Sequence, residues 1–224
     1  MKTKYDLIVF DLDGTVIDSV IDIMDALNAT LKDFDIDFQF CYEGTKGLLG
    51  GGALELAKQV LLTVGKDPDS PFFDIFCDQY YIRYEEFQGN STRLYPGIDD
   101  VFKRAIEKGI KLAIFSNKPQ RVIIDSISNL TDITKFEFVL GHSDGYAPKP
   151  DPTAFNEKCI QHGLDIANMR ILYVGDSDVD MIFAKNIRAD GCGCAYGYRS
   201  RKELVENDAT FIIKRPKELL KYIF

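Results

Sequence analysis

The chain alternates between short unbroken apolar runs and longer stretches in which apolar residues recur every three or four positions. The runs are Asp6–Phe10, Lys111–Phe115, Phe138–Leu140, Ile171–Val174, Gly191–Ala195 and Thr210–Ile213, each ending in a polar or glycine-rich turn. Continuous rather than alternating apolarity predicts strands covered on both faces, the pattern of a parallel sheet flanked by helices. Helical spacing fills most of the intervals. In IDDVFKRAIEKG, the residues Ile98, Val101, Phe102, Ala105 and Ile106 share a face, and Gly109 stands where the helix should stop.

One region breaks the alternation. From about Val20 to Gly89 the pattern is helical throughout. VIDIMDALNATL places Val20, Met24, Leu27 and Leu31 on one face, and FFDIFCDQYYIRYEEF places Phe73, Phe76, Tyr80, Tyr84 and Phe87 on one face. The aromatic stripe reads as the packing face of an amphipathic helix rather than as a cofactor site. Tyr95-Pro96-Gly97 marks the return to alternating structure. The expected organisation is an α/β, Rossmann-like three-layer core with a central parallel sheet from residues 1–17 and 93–224, with an all-helical insertion over residues 18–92.

Composition narrows the partners. With 46% apolar and 28% charged residues the 224-residue chain reads as an ordinary folded protein. A formal charge of −8 without any Lys/Arg cluster argues against nucleic acid and anionic membranes. No segment reaches the ~18 apolar residues of a membrane span. The start, Met-Lys-Thr-Lys, lacks signal-peptide features, so a cytoplasmic location is expected. The five cysteines are odd in number and scattered, which fits reduced thiols. Cys192-Gly-Cys194 reads as small residues in a buried strand, not half of a metal site. Monomer and homodimer both remain open.

Ligands of open parallel sheets bind at the carboxyl ends of the strands. Those ends carry Asp11-Leu12-Asp13-Gly14-Thr15, Ser116-Asn117-Lys118-Pro119 and Gly175-Asp176-Ser177-Asp178-Val179-Asp180, with Lys149 in the loop GHSDGYAPKPDP. Asp11 and Asp176 brought together would repel unless a cation lay between them, and a site of oxygen ligands suits Mg²⁺. Lys149, the Ser116 hydroxyl and backbone N–H groups near Gly14 and Asn117 could hold a phosphate. A carboxylate beside both is a candidate nucleophile, and a second one two residues on is a candidate acid/base.

DLDGT, SNK, the Lys149 loop and GDSDVD, in this order along essentially the whole chain, resemble the four motifs of the haloacid dehalogenase (HAD) superfamily, in its phosphoglycolate-phosphatase-like branch. The resemblance implies a Mg²⁺-dependent phosphatase acting on a small phosphorylated metabolite, with 2-phosphoglycolate the first candidate. It implies Asp11 as nucleophile and metal ligand, and Asp13 as acid/base that also binds the metal through its carbonyl. Asp176 would be the remaining metal ligand, and Asp180 would orient metal-bound water or Lys149. Gly14, Ser116, Asn117 and Lys149 would bind the phosphoryl group. The helical insertion would be a mobile cap. Its candidate specificity segment is Gly44 to Leu56, where Lys46 could meet a substrate carboxylate and Gly51 and Gly52 could offer N–H groups at a helix start. A phosphomutase of β-phosphoglucomutase type or a pyrophosphatase on the same fold are the enzymatic alternatives, and a non-catalytic binding protein the remaining one. Pro148, where many relatives carry a basic residue, departs from the pattern. Thr15 reads equally as a cap or a phosphate contact. Lys118, Asp178, His142 and His162 read as surface or structural residues, and Cys159 as helix packing.

Overall fold

The computed structural model describes residues 3–143 and 145–224. In chain order its strands are β1 (Leu7–Phe10), β2 (Ile17–Asp18), β3 (Arg93–Leu94), β4 (Lys111–Pro119), β5 (Val139–His142), β6 (Ile171–Gly175), β7 (Asp190–Cys194) and β8 (Phe211–Ile213). Six of them form one parallel sheet in the order β5-β4-β1-β6-β7-β8. Every apolar run of the sequence is a strand of this sheet, the second one continuing past Phe115 to Pro119.

All four residues of β1 are fully buried because both faces of the sheet are covered. Ile8 and Phe10 join one core cluster and Leu7 and Val9 another, as the two-residue strand period requires. Each such side chain contributes about 1.5–3 kcal/mol relative to exposure.

The helices are α1 (Val20–Asp33), α2 (Tyr42–Leu48), α3 (Ala53–Thr63), α4 (Phe72–Phe87), α5 (Ile98–Glu107), α6 (Gln120–Ser128), α7 (Thr153–Gln161), α8 (Asp178–Asn186), α9 (Arg201–Glu206) and α10 (Leu220–Ile223). Val101 and Phe102 of α5 and Ile123 and Ile127 of α6 cover the face of Ile8 and Phe10. Phe155 of α7 and Phe183 of α8 cover the face of Leu7 and Val9. Gly109, with φ +76°, takes the left-handed conformation beyond the end of α5.

Helices α1 to α4 lie between β2 and β3, which pair antiparallel as a small ribbon, Ile17 opposite Leu94 and Asp18 opposite Arg93. The four helices have a cluster of their own, built from Val20, Leu27 and Leu31 of α1, Leu56 and Val60 of α3, and Phe76 and Tyr80 of α4. Val122 and Tyr198, which lie outside the insertion, complete it. Where the chain returns from α4, the buried Asp22 carboxylate accepts hydrogen bonds from the N–H groups of Gly89 (2.8 Å), Ser91 (2.7 Å) and Thr92 (3.0 Å) and from the Thr92 hydroxyl (2.6 Å). No cation is needed there, since four donors and the start of α1 compensate the charge.

Candidate active site

Strand β1 lies between β4 and β6, next to the point where the chain switches from building one side of the sheet to the other. A crevice opens at such a point beyond the carboxyl ends of the strands. Asp11 follows Phe10 directly, and its N–H donates to the Val174 carbonyl of β6 (2.8 Å), which fixes the nucleophile candidate against the neighbouring strand. The chain then folds tightly: the Leu12 carbonyl accepts from the N–H groups of Thr15, Val16 and Ile17, and Gly14 turns at φ +86°. That turn brings Asp13 back over the same end of the sheet.

Lys149 reaches into the centre of this arrangement. Its Nζ donates to Asp11 Oδ1 (2.7 Å), Asp180 Oδ1 (2.7 Å) and the Tyr173 hydroxyl (2.8 Å). Burial works against the ammonium, yet Asp11 and Asp180 outweigh it and hold the lysine above its ordinary value. The Asn117 side chain clamps the same residue by its backbone, accepting from the Lys149 N–H (2.7 Å) and donating to its carbonyl (3.3 Å). Asn117 therefore aims Lys149, a role the sequence did not suggest. Ser116 is buried within β4 and lines the crevice with Asn117.

Asp176 ends β6. Its carboxylate accepts from the Tyr198 N–H (2.6 Å) and from the Thr15 hydroxyl (3.2 Å), so Thr15 holds an acid in place. Asp180 is the third residue of α8 and closes a capping box with Ser177. Its Oδ2 accepts from the N–H groups of Asp176 and Ser177 and from the Ser177 hydroxyl, while Oδ1 takes Lys149. Asp178 starts α8 and is half-buried.

One carboxylate oxygen each of Asp11, Asp176 and Asp180 lies within 4.8 Å of the others. Burial first, then the neighbouring carboxylates, push Asp176 well above the usual carboxylate range. Burial raises Asp11 too; Lys149 pulls it down, Asp180 and Asp13 push it up, and it stands at about 6. Asp11 and Asp180 share the single ammonium of Lys149 and Asp176 meets only neutral donors, so the three carboxylates together are short of positive charge. Hard oxygen donors in such a cluster fit a divalent cation of the Mg²⁺ kind.

Asp13 is tied differently. Its carboxylate accepts from the Ser19 hydroxyl (2.5 Å), which also meets the Tyr198 hydroxyl (3.1 Å). Lys118 donates to both Asp13 oxygens (3.1 and 3.2 Å) and to the Tyr84 hydroxyl of α4 (2.6 Å). At 7% exposed, Lys118 is not the surface lysine the sequence predicts. β4 runs on to Pro119, so Lys118 belongs to the buried part of that strand. Burial opposes its charge, but Asp13 and Tyr84 hold it above a lysine's ordinary value.

The insertion closes over this crevice. Leu49, Gly50, Gly52, Ala53, Leu56, Tyr80, Tyr81 and Tyr84 line it opposite Asp11, Asp13, Ser116 and Lys149. Tyr80 and Tyr84 of the aromatic stripe thus face the site as well as the packing core, with Tyr81 beside them. Gly52 (φ +86°) caps α3, and a Cβ there would come within 3.1 Å of the Asn117 side chain. Arg199 donates to the Gly47 carbonyl (2.8 Å), a further tie between the insertion and the rest of the chain. Lys46, within α2, and Gly51 do not line it. His142 meets the Tyr146 carbonyl and His162 packs on Phe138, both away from the acids. Cys192 and Cys194 are buried free thiols in β7.

An enzyme class is defined by this parallel sheet with catalytic-type acids on neighbouring strand ends and a helical insertion after the first. The model of the haloacid dehalogenase-like hydrolases matches residues 8–193, and the chain belongs to that family. Among its relatives, the phosphoglycolate phosphatase of Rhodobacter capsulatus is 32% identical over 193 residues, covering 86% of this chain and 85% of that protein. The phosphoglycolate phosphatase of Mannheimia succiniciproducens is 28% identical with all of both chains covered. The crystal structure of a predicted phosphoglycolate phosphatase from Haemophilus somnus superposes with a TM-score of 0.86 at 27% identity, covering 97% of each chain. No helix among the described residues is long and apolar enough to cross a membrane.

Proposed function

We propose that this hydrolase is a Mg²⁺-dependent phosphatase acting on a small phosphate monoester, 2-phosphoglycolate first, through an aspartyl-phosphate on Asp11. The observation that carries the reading is a charge imbalance. Asp11, Asp176 and Asp180 face one ammonium group, Lys149, which formally leaves two negative charges in one buried cluster. One divalent cation cancels them. Relatives called phosphoglycolate phosphatases over nearly the full length of this chain support the choice of substrate.

In this reading an Asp11 oxygen attacks phosphorus, the ester P–O bond breaks, and the Asp13 carboxyl gives its proton to the departing alkoxide oxygen. Asp13, now ionised, takes a proton from water as that water attacks the aspartyl-phosphate, releasing inorganic phosphate and restoring Asp11. Lys149, aimed by Asn117 and Asp180, balances the charge on the phosphoryl oxygens, and Ser116 hydrogen-bonds them. Mg²⁺ held by Asp11, Asp176 and the Asp13 carbonyl would supply further neutralisation of those oxygens. Helices α1 to α4 act as the cap, excluding water that would otherwise compete for the phosphoryl group.

The test is hydrolysis of 2-phosphoglycolate by the purified chain with Mg²⁺, with chelator, and as Asp11→Asn. Activity only with metal, lost at least about 10³-fold in the variant, is expected. Turnover that persists in Asp11→Asn would remove the nucleophile and the reading with it.

A further inference from the structure

We infer that Lys118 receives a second negative group of the substrate, a carboxylate carried close to the phosphate ester, and so selects phosphorylated short-chain acids over neutral-tailed esters. The inference rests on the phosphatase reading for the chemistry but on separate residues for the selection.

Four observations carry it. First, among the described residues lining the crevice the cations are Lys118 and Lys149. All three donors of Lys149 are committed to Asp11, Asp180 and Tyr173, at the end of the crevice where the phosphoryl group must meet Asp11. Lys118 stands apart from that set, on the insertion side, with its ammonium against Asp13 and Tyr84. Second, its side chain is only 4% exposed, and it is held from both sides of the crevice, by β4 and by α4. Asp13 is the anion that keeps so deeply placed a lysine charged, and a substrate carboxylate would share the ammonium with it. Third, Gly52 and Ala53, the start of the eleven-residue α3, line the same wall next to Asn117. The N-terminus of that helix adds positive potential on Lys118's side. Fourth, Ile23, Leu49, Leu56, Tyr80, Tyr81 and Val122 add only uncharged side chains to the lining.

Lys118 pairs with Asp13 at 3.1 Å, and Asp13 lies two residues beyond Asp11, so a carboxylate on Lys118 is placed beside Asp13 rather than beside Lys149. Lys46, the residue that the sequence offers for this carboxylate, lies off the crevice, and Lys118 takes over the role.

Binding separates this inference from turnover. With Mg²⁺ present, calorimetry is run on the intact chain with phosphonoacetate, which carries the carboxylate, and with ethylphosphonate, which does not. The wild type should prefer phosphonoacetate by about 10–100-fold, the range of a charge-assisted hydrogen bond. Lys118→Met should erase that preference and Lys118→Arg retain part of it, with unchanged circular dichroism certifying the fold of each. Hydrolysis should follow the same order, with kcat/KM for 2-phosphoglycolate falling much further than for ethyl phosphate in Lys118→Met. A preference that survives in Lys118→Met, or is absent from the wild type, overturns the inference even where esters are hydrolysed. A chain that prefers phosphonoacetate through Lys118 yet hydrolyses neither ester would keep the anion site and refute the phosphatase reading instead.

Discussion

Gly14 has no room for a side chain. Its φ of +86° is one that other residues rarely adopt, and a Cβ built on it would overlap the Asp176 carboxylate. Gly14→Ala should therefore push Asp176 away from Asp11 and lower the rate of ester hydrolysis by about 10²-fold or more, an effect of displacing a positioned group by a fraction of an ångström. Steady-state kinetics decide it, and a variant with wild-type kcat would mean that the placement of Asp176 is immaterial. Gly197 meets the same carboxylate from the other side, although nothing in its sequence context marks it. Residues of this kind divide in their legibility. Asp11, Asp13, Lys149 and Asp176 were readable because a charge at the end of an apolar run, or a lysine between prolines, demands a partner. Lys118 and Tyr84 were not. A lysine after asparagine reads equally well as solvated, and a tyrosine at helical spacing reads as packing. The available signal was that KLAIFSNKP remains strand-like up to its proline, so that Lys118 belongs to a buried strand just as Asp11 follows one.

Among the elements, the parallel sheet and the helical nature of the insertion follow from apolar periodicity, since parallel strands are buried on both faces and helices on one. The ribbon of β2 and β3 was invisible because two residues per strand carry no period. The tie between α1 and the returning chain was hidden as well: Asp22 lies on the opposite side of α1 from the stripe of Val20, Met24 and Leu27, where a carboxylate normally means solvent. Instead it gathers the N–H groups of residues 89, 91 and 92. Asp22→Ala would strand buried donors at the junction through which the insertion connects to the sheet, and should cost about 2–4 kcal/mol in urea unfolding. Asp22→Asn should also destabilise, because its amide turns a donor toward donors. Losses under about 0.5 kcal/mol for the alanine variant, the range of ordinary surface substitutions, would show that water replaces the carboxylate there.

Across the whole molecule, the proposed metal has a consequence for stability that does not pass through catalysis. A fold that gathers Asp11, Asp176 and Asp180 within one buried cluster works against itself when only Lys149 opposes them. Burial and mutual repulsion raise both Asp11 and Asp176, which means that their ionised forms are disfavoured in the folded chain relative to the unfolded one. Removing one of those charges should therefore help the metal-free protein: Asp176→Asn keeps an acceptor for the Tyr198 N–H, and its melting temperature in chelator should exceed that of the wild type. Mg²⁺ should reverse the order. At a hundredfold excess over its dissociation constant, a ligand of the folded state adds about 2.7 kcal/mol, roughly 5–10 °C for a chain of this size. The wild type should gain that shift and Asp176→Asn little of it, so that the two melting curves cross as Mg²⁺ is titrated in by scanning fluorimetry. Curves of the wild type that do not move with Mg²⁺ would leave the acids without their cation, and the assignment of Asp11 and Asp176 as its ligands would fall.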